Sequence, residues 1–312
     1  MSQFSHQPVL LRETIGELVT KKDGIYVDCT MGGGGHSEAI LLSGAETRVI
    51  GIDQDMEAIK ASAKRLAPYG GRAIFVWDNF CNLKDILSKL NISKVDGVLM
   101  DLGISSPQLD QAERGFSYQQ DATLDMRMNR EGKTLTAKDL VNNLPEEELS
   151  QLIYRYGEER WAKRIAAFIK ERREKQPIET TGELVEIIKA AIPKKAREAG
   201  HHPAKKTFQA LRIAVNNELQ IIAPTMEVAA RHLNPGGILA VISFHSLEDR
   251  IVKETMKYLA ADCICPPSQV VCTCNKEQLM KITVRKPITA GEAELTENPR
   301  ARSAKLRVAM RI

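Results

Sequence analysis

The sequence predicts an α/β protein: a parallel sheet wrapped by helices and interrupted in mid-chain by an all-helical insertion. Three observations carry this reading. The first third alternates short apolar β-type runs with helical stretches, the pattern of parallel strands joined by crossover helices. From about residue 112 the spacing turns helical, with stops at Pro145, Pro177, Pro193 and Pro203, and no good strand intervenes. Gly236-Gly237 then leads back into an apolar run ending at Phe244, a turn followed by a buried strand. The expected domains are residues 1–112 with 213–312 as one split α/β domain, and residues 113–212 as an inserted helical domain.

Taken in order, residues 25–28, 48–53, 73–77 and 95–100 read as strands because Ile and Val dominate them. Val98-Leu99-Met100 is continuously apolar, which fits a sheet covered on both faces. Residues 37–42 form a helical run between the first two strands. In the insertion, 137–140, 146–156, 162–173, 181–191 and 207–219 carry apolar residues at helical spacing. Residues 281–285 and 305–310 are expected to make a terminal strand pair. No internal repeat or low-complexity tract is visible.

The composition, 312 residues with 43% hydrophobic and 27% charged, is that of a soluble globular chain and excludes wholesale disorder, collagen and coiled coil. No uncharged apolar run reaches the roughly 18 residues of a membrane span, and the first residues lack a leader pattern. A cytoplasmic protein with no membrane partner is expected. Net charge is only +4, but it conceals an asymmetry. Residues 1–110 carry 11 basic and 14 acidic side chains, whereas 160–212 carry 14 against 6 and 281–312 carry 8 against 3. Two basic regions suggest a polyanionic partner, since Lys and Arg near phosphates release counterions.

Residues 28–37, Asp-Cys-Thr-Met-Gly-Gly-Gly-Gly-His-Ser, follow the first strand and open a helix. Glycines allow close backbone approach, and a helix start offers free N–H groups. Asp53 ends the second strand about 20 residues on, where a carboxylate can accept both hydroxyls of a ribose. Asp78-Asn79-Phe80 ends the third and can offer polar groups and an aromatic face to an adenine. Three successive strand ends thus describe an adenosine-bearing cofactor, and a nicotinamide dinucleotide or S-adenosylmethionine satisfies the pattern equally.

The fourth strand separates the two. It runs through Asp101 into Ser105-Ser106-Pro107-Gln108. Hydride transfer has no special need for that polar turn, but methylation of a base amine does. The lone pair of such an amine is delocalised into the ring, so oxygen acceptors must hold its hydrogens and bias the nitrogen toward tetrahedral geometry. A helix cap with a turn proline is the bland reading of the same tetrapeptide. Ser243, His245 and Asp249 together suggest a hydrolase, but no Gly-x-Ser-x-Gly elbow lies near them.

Residues 28–40, 101–110, 113–117, 124–128, 156–160, 207–213, 242–250 and 297–303 together resemble the RsmH (MraW) family over essentially the whole chain. That family methylates N4 of a cytidine in 16S ribosomal RNA. The resemblance implies a Rossmann-like methyltransferase sheet, S-adenosylmethionine as cofactor, and a cytidine in the decoding region of the small ribosomal subunit as target. It also implies cofactor contacts at Gly34, Gly35, His36, Asp53, Phe80, Asp101 and Gln108. Asp101 is expected to lie between cofactor and target, with Ser105, Ser106 and Gln108 accepting hydrogens from the cytosine amine. The catalytic set is therefore Asp101, Ser105 and Ser106, with no metal in it.

A target base usually stacks on an aromatic ring, and Phe116, Tyr118, Phe244 and His245 are the candidates. Residues 194–197, Lys205-Lys206 and 300–302 form the expected phosphate surface. Cys263, Cys265, Cys272 and Cys274 make a C-x-C…C-x-C set that could hold a tetrahedral zinc, although the spacing is tighter than the usual knuckle. Any metal there would be structural. Cys29 and Cys81 are expected to be inert. A non-catalytic ribosome-binding module and a dehydrogenase are the rival functions, and monomer and homodimer both stay open.

Overall fold

The computed structural model describes residues 8–132, 134–197, 202–269 and 271–312. The chain divides into two compact units, Met1–Gly103 with Leu219–Ile312, and Ile104–Glu218. The expected boundaries fell at 112/113 and 212/213. The second of those points lies inside a continuous helix, Lys205–Asn216, which belongs wholly to the helical unit.

The first unit begins α1 (Leu11–Leu18), β1 (Ile25–Asp28), α2 (Gly35–Leu42), β2 (Arg48–Asp53), α3 (Met56–Leu66), β3 (Ala73–Trp77), α4 (Leu83–Lys89) and β4 (Val95–Asp101). The helical unit supplies α5 (Ser106–Asp110), α6 (Ala137–Asn143), α7 (Glu146–Gly157), α8 (Ala162–Lys175), α9 (Thr181–Ala191), α10 (Lys194–Arg197) and α11 (Lys205–Asn216). The first unit resumes with α12 (Ile222–His232), β5 (Leu233–Ser243), α13 (Ser246–Ala260), β6 (Met280–Ile282), α14 (Glu292–Glu297) and β7 (Lys305–Arg311).

The seven strands lie in the order β3-β2-β1-β4-β5-β7-β6. β1 to β5 pair in parallel, and β7 runs antiparallel to both β5 and β6. Alternate residues enter two cores, as pleating requires. Tyr26, Leu99, Ala240 and Ile242 face one side with Ile40, Leu41 and Leu66. Val27, Val98, Met100, Leu239 and Val241 face the other, with Leu87, Met226 and Val252. Both faces are covered by helices, which is why the strands read as unbroken apolar runs.

The four strands of the first third lie where the sequence places them, β4 being one residue longer than expected. The terminal pair differs. β6 is only Met280–Ile282; residues 283–287 leave β7, and Ile288 rejoins it through reciprocal bonds of 2.9 Å with Leu306. Pro287, which has no N–H to give to a ladder, directly precedes the point of return. α11 also stops earlier than the expected 219, because Asn217 takes the left-handed conformation at φ 52.

The helical unit has its own core. Leu149 and Ile153 of α7, Ile165 and Ile169 of α8, Leu184 and Ile188 of α9, and Phe208 and Leu211 of α11 are all buried in one cluster. Each is worth roughly 1.5–3 kcal/mol of burial. Thr136 with Asp139 and Thr180 with Glu183 form capping boxes that fix where α6 and α9 begin.

Candidate functional site

Carboxyl ends of parallel strands share one edge of the sheet, and here that edge carries Asp28 of β1, Asp53 of β2, Asp78 just beyond β3 and Asp101 of β4. The chain leaves β1 toward β2 on one side, and β4 lies on the other. This reversal makes the crevice in which open α/β sheets take ligands.

The glycine loop is folded by the backbone and tied down by Asp53. Gly32 and Gly34 have φ of 50 and 78, a region that other residues enter only with strain. Gly34 then caps α2 without a side-chain hydrogen bond, so the first turn of that helix presents backbone N–H groups. The Gly32 N–H donates to Asp53 Oδ2 and the Asp55 N–H to Oδ1, both at 2.8 Å. These bonds use two of about four lone-pair positions on the carboxylate, leaving acceptor capacity for a vicinal diol. Burial pushes the Asp53 carboxyl up to about 6, against those two bonds.

Asp28 is fully buried. Ser37 Oγ donates to it at 2.7 Å and the Thr30 N–H at 3.2 Å, joining the end of β1 to the first turn of α2. Burial again prevails and raises it to about 6. Thr30 Oγ1 accepts from the Asp101 N–H at 2.6 Å, so the loop and β4 are held together.

Asp101 is the most perturbed of these groups. Burial first, then the neighbouring Asp28 and Glu248, lift its carboxyl well above the usual range. Its Oδ2 stands 3.7 Å from His36 Nδ1, while its Oδ1 is buried with no hydrogen-bond partner in the protein. Native folds rarely leave a buried polar atom unmatched, and the exceptions concentrate where a ligand completes the set. His36 is itself buried, with Nε2 3.1 Å from the Val9 carbonyl. That contact ties the first turn of α2 to the segment before α1.

Phe80 starts a single 3-10 turn beyond β3 and lies half-buried against the core. Asp78 Oδ1 accepts from the Asn79 N–H and from Asn82 Nδ2, both at 2.7 Å, which orders that turn. At the end of β5, Glu248 Oε2 accepts from the Phe244 N–H at 2.7 Å, and the His245 side chain caps α13. Two of the hydrolase candidates are turned toward β7. Ser243 Oγ donates to the Lys305 carbonyl, and Asp249 holds Arg307 at 2.7 Å and Lys305 at 3.0 Å.

Ser105, Ser106 and Gln108 belong to the helical unit, at the start of α5. Ser105 and Gln108 form a capping box: Ser105 Oγ accepts from the Gln108 N–H, and Gln108 Oε1 accepts from the Ser105 N–H at 3.1 Å. Ser106 and Gln108 are buried. The cap is therefore real, whatever else these residues do. Of the stacking candidates, Phe116 is a core residue of this unit, and Tyr118 already stacks on His202 at 4.6 Å. Lys194, Lys195, Lys205, Lys206, Arg300 and Arg302 are all exposed.

Sequence reasoning did not assign Asp28, Thr30, Ser37 or Glu248 to the site. The first three carried a signal, an acid closing an apolar strand immediately before a glycine loop. Glu248 carried none beyond its i+3 spacing from His245, which reads equally as a helix cap.

Comparison with known proteins finds relatives over the whole chain. The chain is 55% identical to the Ribosomal RNA small subunit methyltransferase H of Clostridioides difficile, over 99% of its own length and 100% of that protein. It is 56% identical to the protein of the same name from Acetivibrio thermocellus, over 99% and 100%. An rRNA methylase structure from Streptococcus thermophilus aligns with a TM-score of 0.43 at 10% identity, covering 97% of this chain and 93% of that one. With residues 3–312 matched from end to end, the chain belongs to the MraW methylase family.

Proposed function

We propose that this protein transfers the methyl group of S-adenosylmethionine to the N4 amino group of a cytidine in the decoding region of 16S ribosomal RNA, acting on the small ribosomal subunit in the cytoplasm. The observation that supports it most is the carboxyl edge itself, where a glycine loop, a diol acceptor and a buried, unmatched Asp101 oxygen meet. Full-length likeness to relatives named as small-subunit methyltransferases supplies the substrate class. No helix among the described residues is long and apolar enough to cross a membrane.

Gly34 and Gly35 at the start of α2, with His36, would hold the cofactor beside the loop; Asp53 would accept its ribose hydroxyls and Phe80 would face its adenine. Gln108, at the start of α5, is the remaining cofactor contact that the family resemblance implies. The bound cofactor supplies an electrophilic methyl on a sulfonium, which is already a good leaving group. The protein's task is then alignment and handling of the amine hydrogens. Asp101, Ser105 and Ser106 offer the acceptors. A carboxylate with a raised pKa is also suited to take the proton that the amine sheds as its new N–C bond forms.

The helical unit serves RNA recognition, with the basic residues of α10 and α11 meeting phosphates. Charge reversal at Lys194 and Lys195 is expected to weaken subunit binding and to flatten its dependence on salt. Methyl-labelled cofactor with unmodified small subunits tests the whole reading. Label should appear on N4 of one cytidine by nucleoside mass mapping. Unlabelled subunits would support a non-catalytic ribosome-binding protein instead, and label on another atom would remove the amine chemistry.

A further inference from the structure

We propose that Cys263, Cys265, Cys272 and Cys274 bind one zinc ion in a closed, structural tetrathiolate site within the segment between α13 and β6. The four sulfurs all lie within 4.8 Å of one another. Their closer pairs are Cys272–Cys274 at 3.5 Å, Cys263–Cys272 at 3.6 Å, and Cys265–Cys272 and Cys263–Cys274 at 3.9 Å. Four sulfurs around zinc at about 2.3 Å form a tetrahedron whose edges are about 3.8 Å. A disulfide needs about 2.05 Å, and all four cysteines are free thiols. The spacing is that of ligands around a common centre.

Apolar packing contributes little to holding the cluster together. Ile264 and Val271 are 51% and 71% exposed, and no residue from 262 to 278, among those described, enters a hydrophobic core. Thiols are weak hydrogen-bond formers, so they cannot replace that missing apolar cohesion. The segment is closed at its base, where the Leu279 N–H meets the Leu259 carbonyl at 2.9 Å. It therefore forms an excursion from the end of α13 to the start of β6, with its sulfurs gathered in the middle.

Two backbone donors are aimed at the cluster. The Ile264 N–H points at Cys274 Sγ and the Cys265 N–H at Cys263 Sγ, each at 3.4 Å. Backbone donors aimed at sulfur stabilise the anionic form that a metal requires. An all-sulfur set of four suits a soft or borderline ion and rejects magnesium and calcium, which take oxygen ligands. With four protein ligands no coordination position is left for water, so the ion would tie the two C-x-C arms together and take no part in methyl transfer.

Full-length protein purified under reducing conditions without added zinc should contain one zinc per chain by elemental mass spectrometry. Cys272→Ser, which removes the sulfur nearest to two others, should lower this below one-tenth, while Cys81→Ser, an exposed thiol outside the cluster, should leave it unchanged. If the Cys272 variant does not fold, cobalt exchange into the wild-type protein still decides. Thiolate-to-cobalt charge transfer with intense tetrahedral ligand-field bands is expected, together with protection of all four thiols from alkylation. Zinc-free protein with no such bands, stoichiometric iron in place of zinc, or a disulfide among these residues would each overturn the assignment.

Discussion

Asp28, Asp53 and Asp101 at the sheet's edge and Asp125 in the helical unit are all withdrawn from water, yet they titrate in opposite directions. Burial lifts Asp28, Asp53 and Asp101 because their partners are neutral N–H and hydroxyl groups, or other acids. In the helical unit, burial also tends to raise Asp125, but Arg127 overcomes it with bonds of 2.7 and 3.0 Å, and the carboxyl falls below its ordinary value. Asn216 there bonds both the Met126 carbonyl and the Met128 N–H at 2.8 Å, and Arg212 grips Glu218. Polar groups that answer one another hold a loop in shape. Asp101 differs, since its buried Oδ1 finds no hydrogen-bond partner in the protein.

The largest effect that would break this contrast is on stability. Asp125→Ala strands Arg127 in a partly buried position and should cost about 3 kcal/mol, read as a lower denaturation midpoint, with cofactor affinity unchanged. An equal loss of cofactor affinity would mean that Asp125 belongs to the site. Next in size, Asp101→Asn should lower single-turnover methylation about a hundredfold while leaving the midpoint near that of the wild type. Wild-type turnover would remove Asp101 from the chemistry.

Asp53→Asn should weaken binding of S-adenosylhomocysteine by roughly tenfold, the worth of a charge-assisted hydrogen bond. It also sharpens the comparison through pH. Asp53 carries a proton up to about 6 in the folded protein but only to 3.8 when unfolded. The folded state therefore holds the extra proton, and the stability linked to this group is fully present below 3.8 and lost as pH rises to about 6. Affinity for the ribose diol should rise as pH passes about 6, where the carboxylate forms in the folded protein. Calorimetric titration across pH checks both signs, and a variant curve with the wild-type slope would show that another group titrates. Asp125, with its lowered carboxyl, contributes in the reverse sense: its stability is lost on acidification.

Much of this was legible in the residues alone. Strands β1 to β4 announce themselves because a strand covered on both faces must be apolar at every position. The glycine loop, Asp53 and Asp101 stand at strand ends that local patterning defines. Helices α12 and α13 were less visible, since Pro224 sits in the first turn of one and the motif at Ser243–Arg250 drew a chemical reading for the other. A proline so early in a helix gives up an N–H that has no intrahelical partner anyway. The serine pair shows the opposite case: its tetrapeptide by itself reads more readily as a cap than as an active-site turn, and the capping box is seen when the Gln108 amide reaches back.

Sequence by itself determined the four strands of the first third, the helical character of the insertion, the strand-end positions of the cofactor loop and its acids, and the family. All of these follow from neighbours within a few residues or from end-to-end likeness. Only the tertiary structure decided which acids are unanswered, that Ser243 and Asp249 bond to β7 instead of making a relay, and that four cysteine sulfurs gather around one point. Those facts depend on distances between residues far apart in the chain and on how completely water is excluded from them. No local pattern carries either quantity.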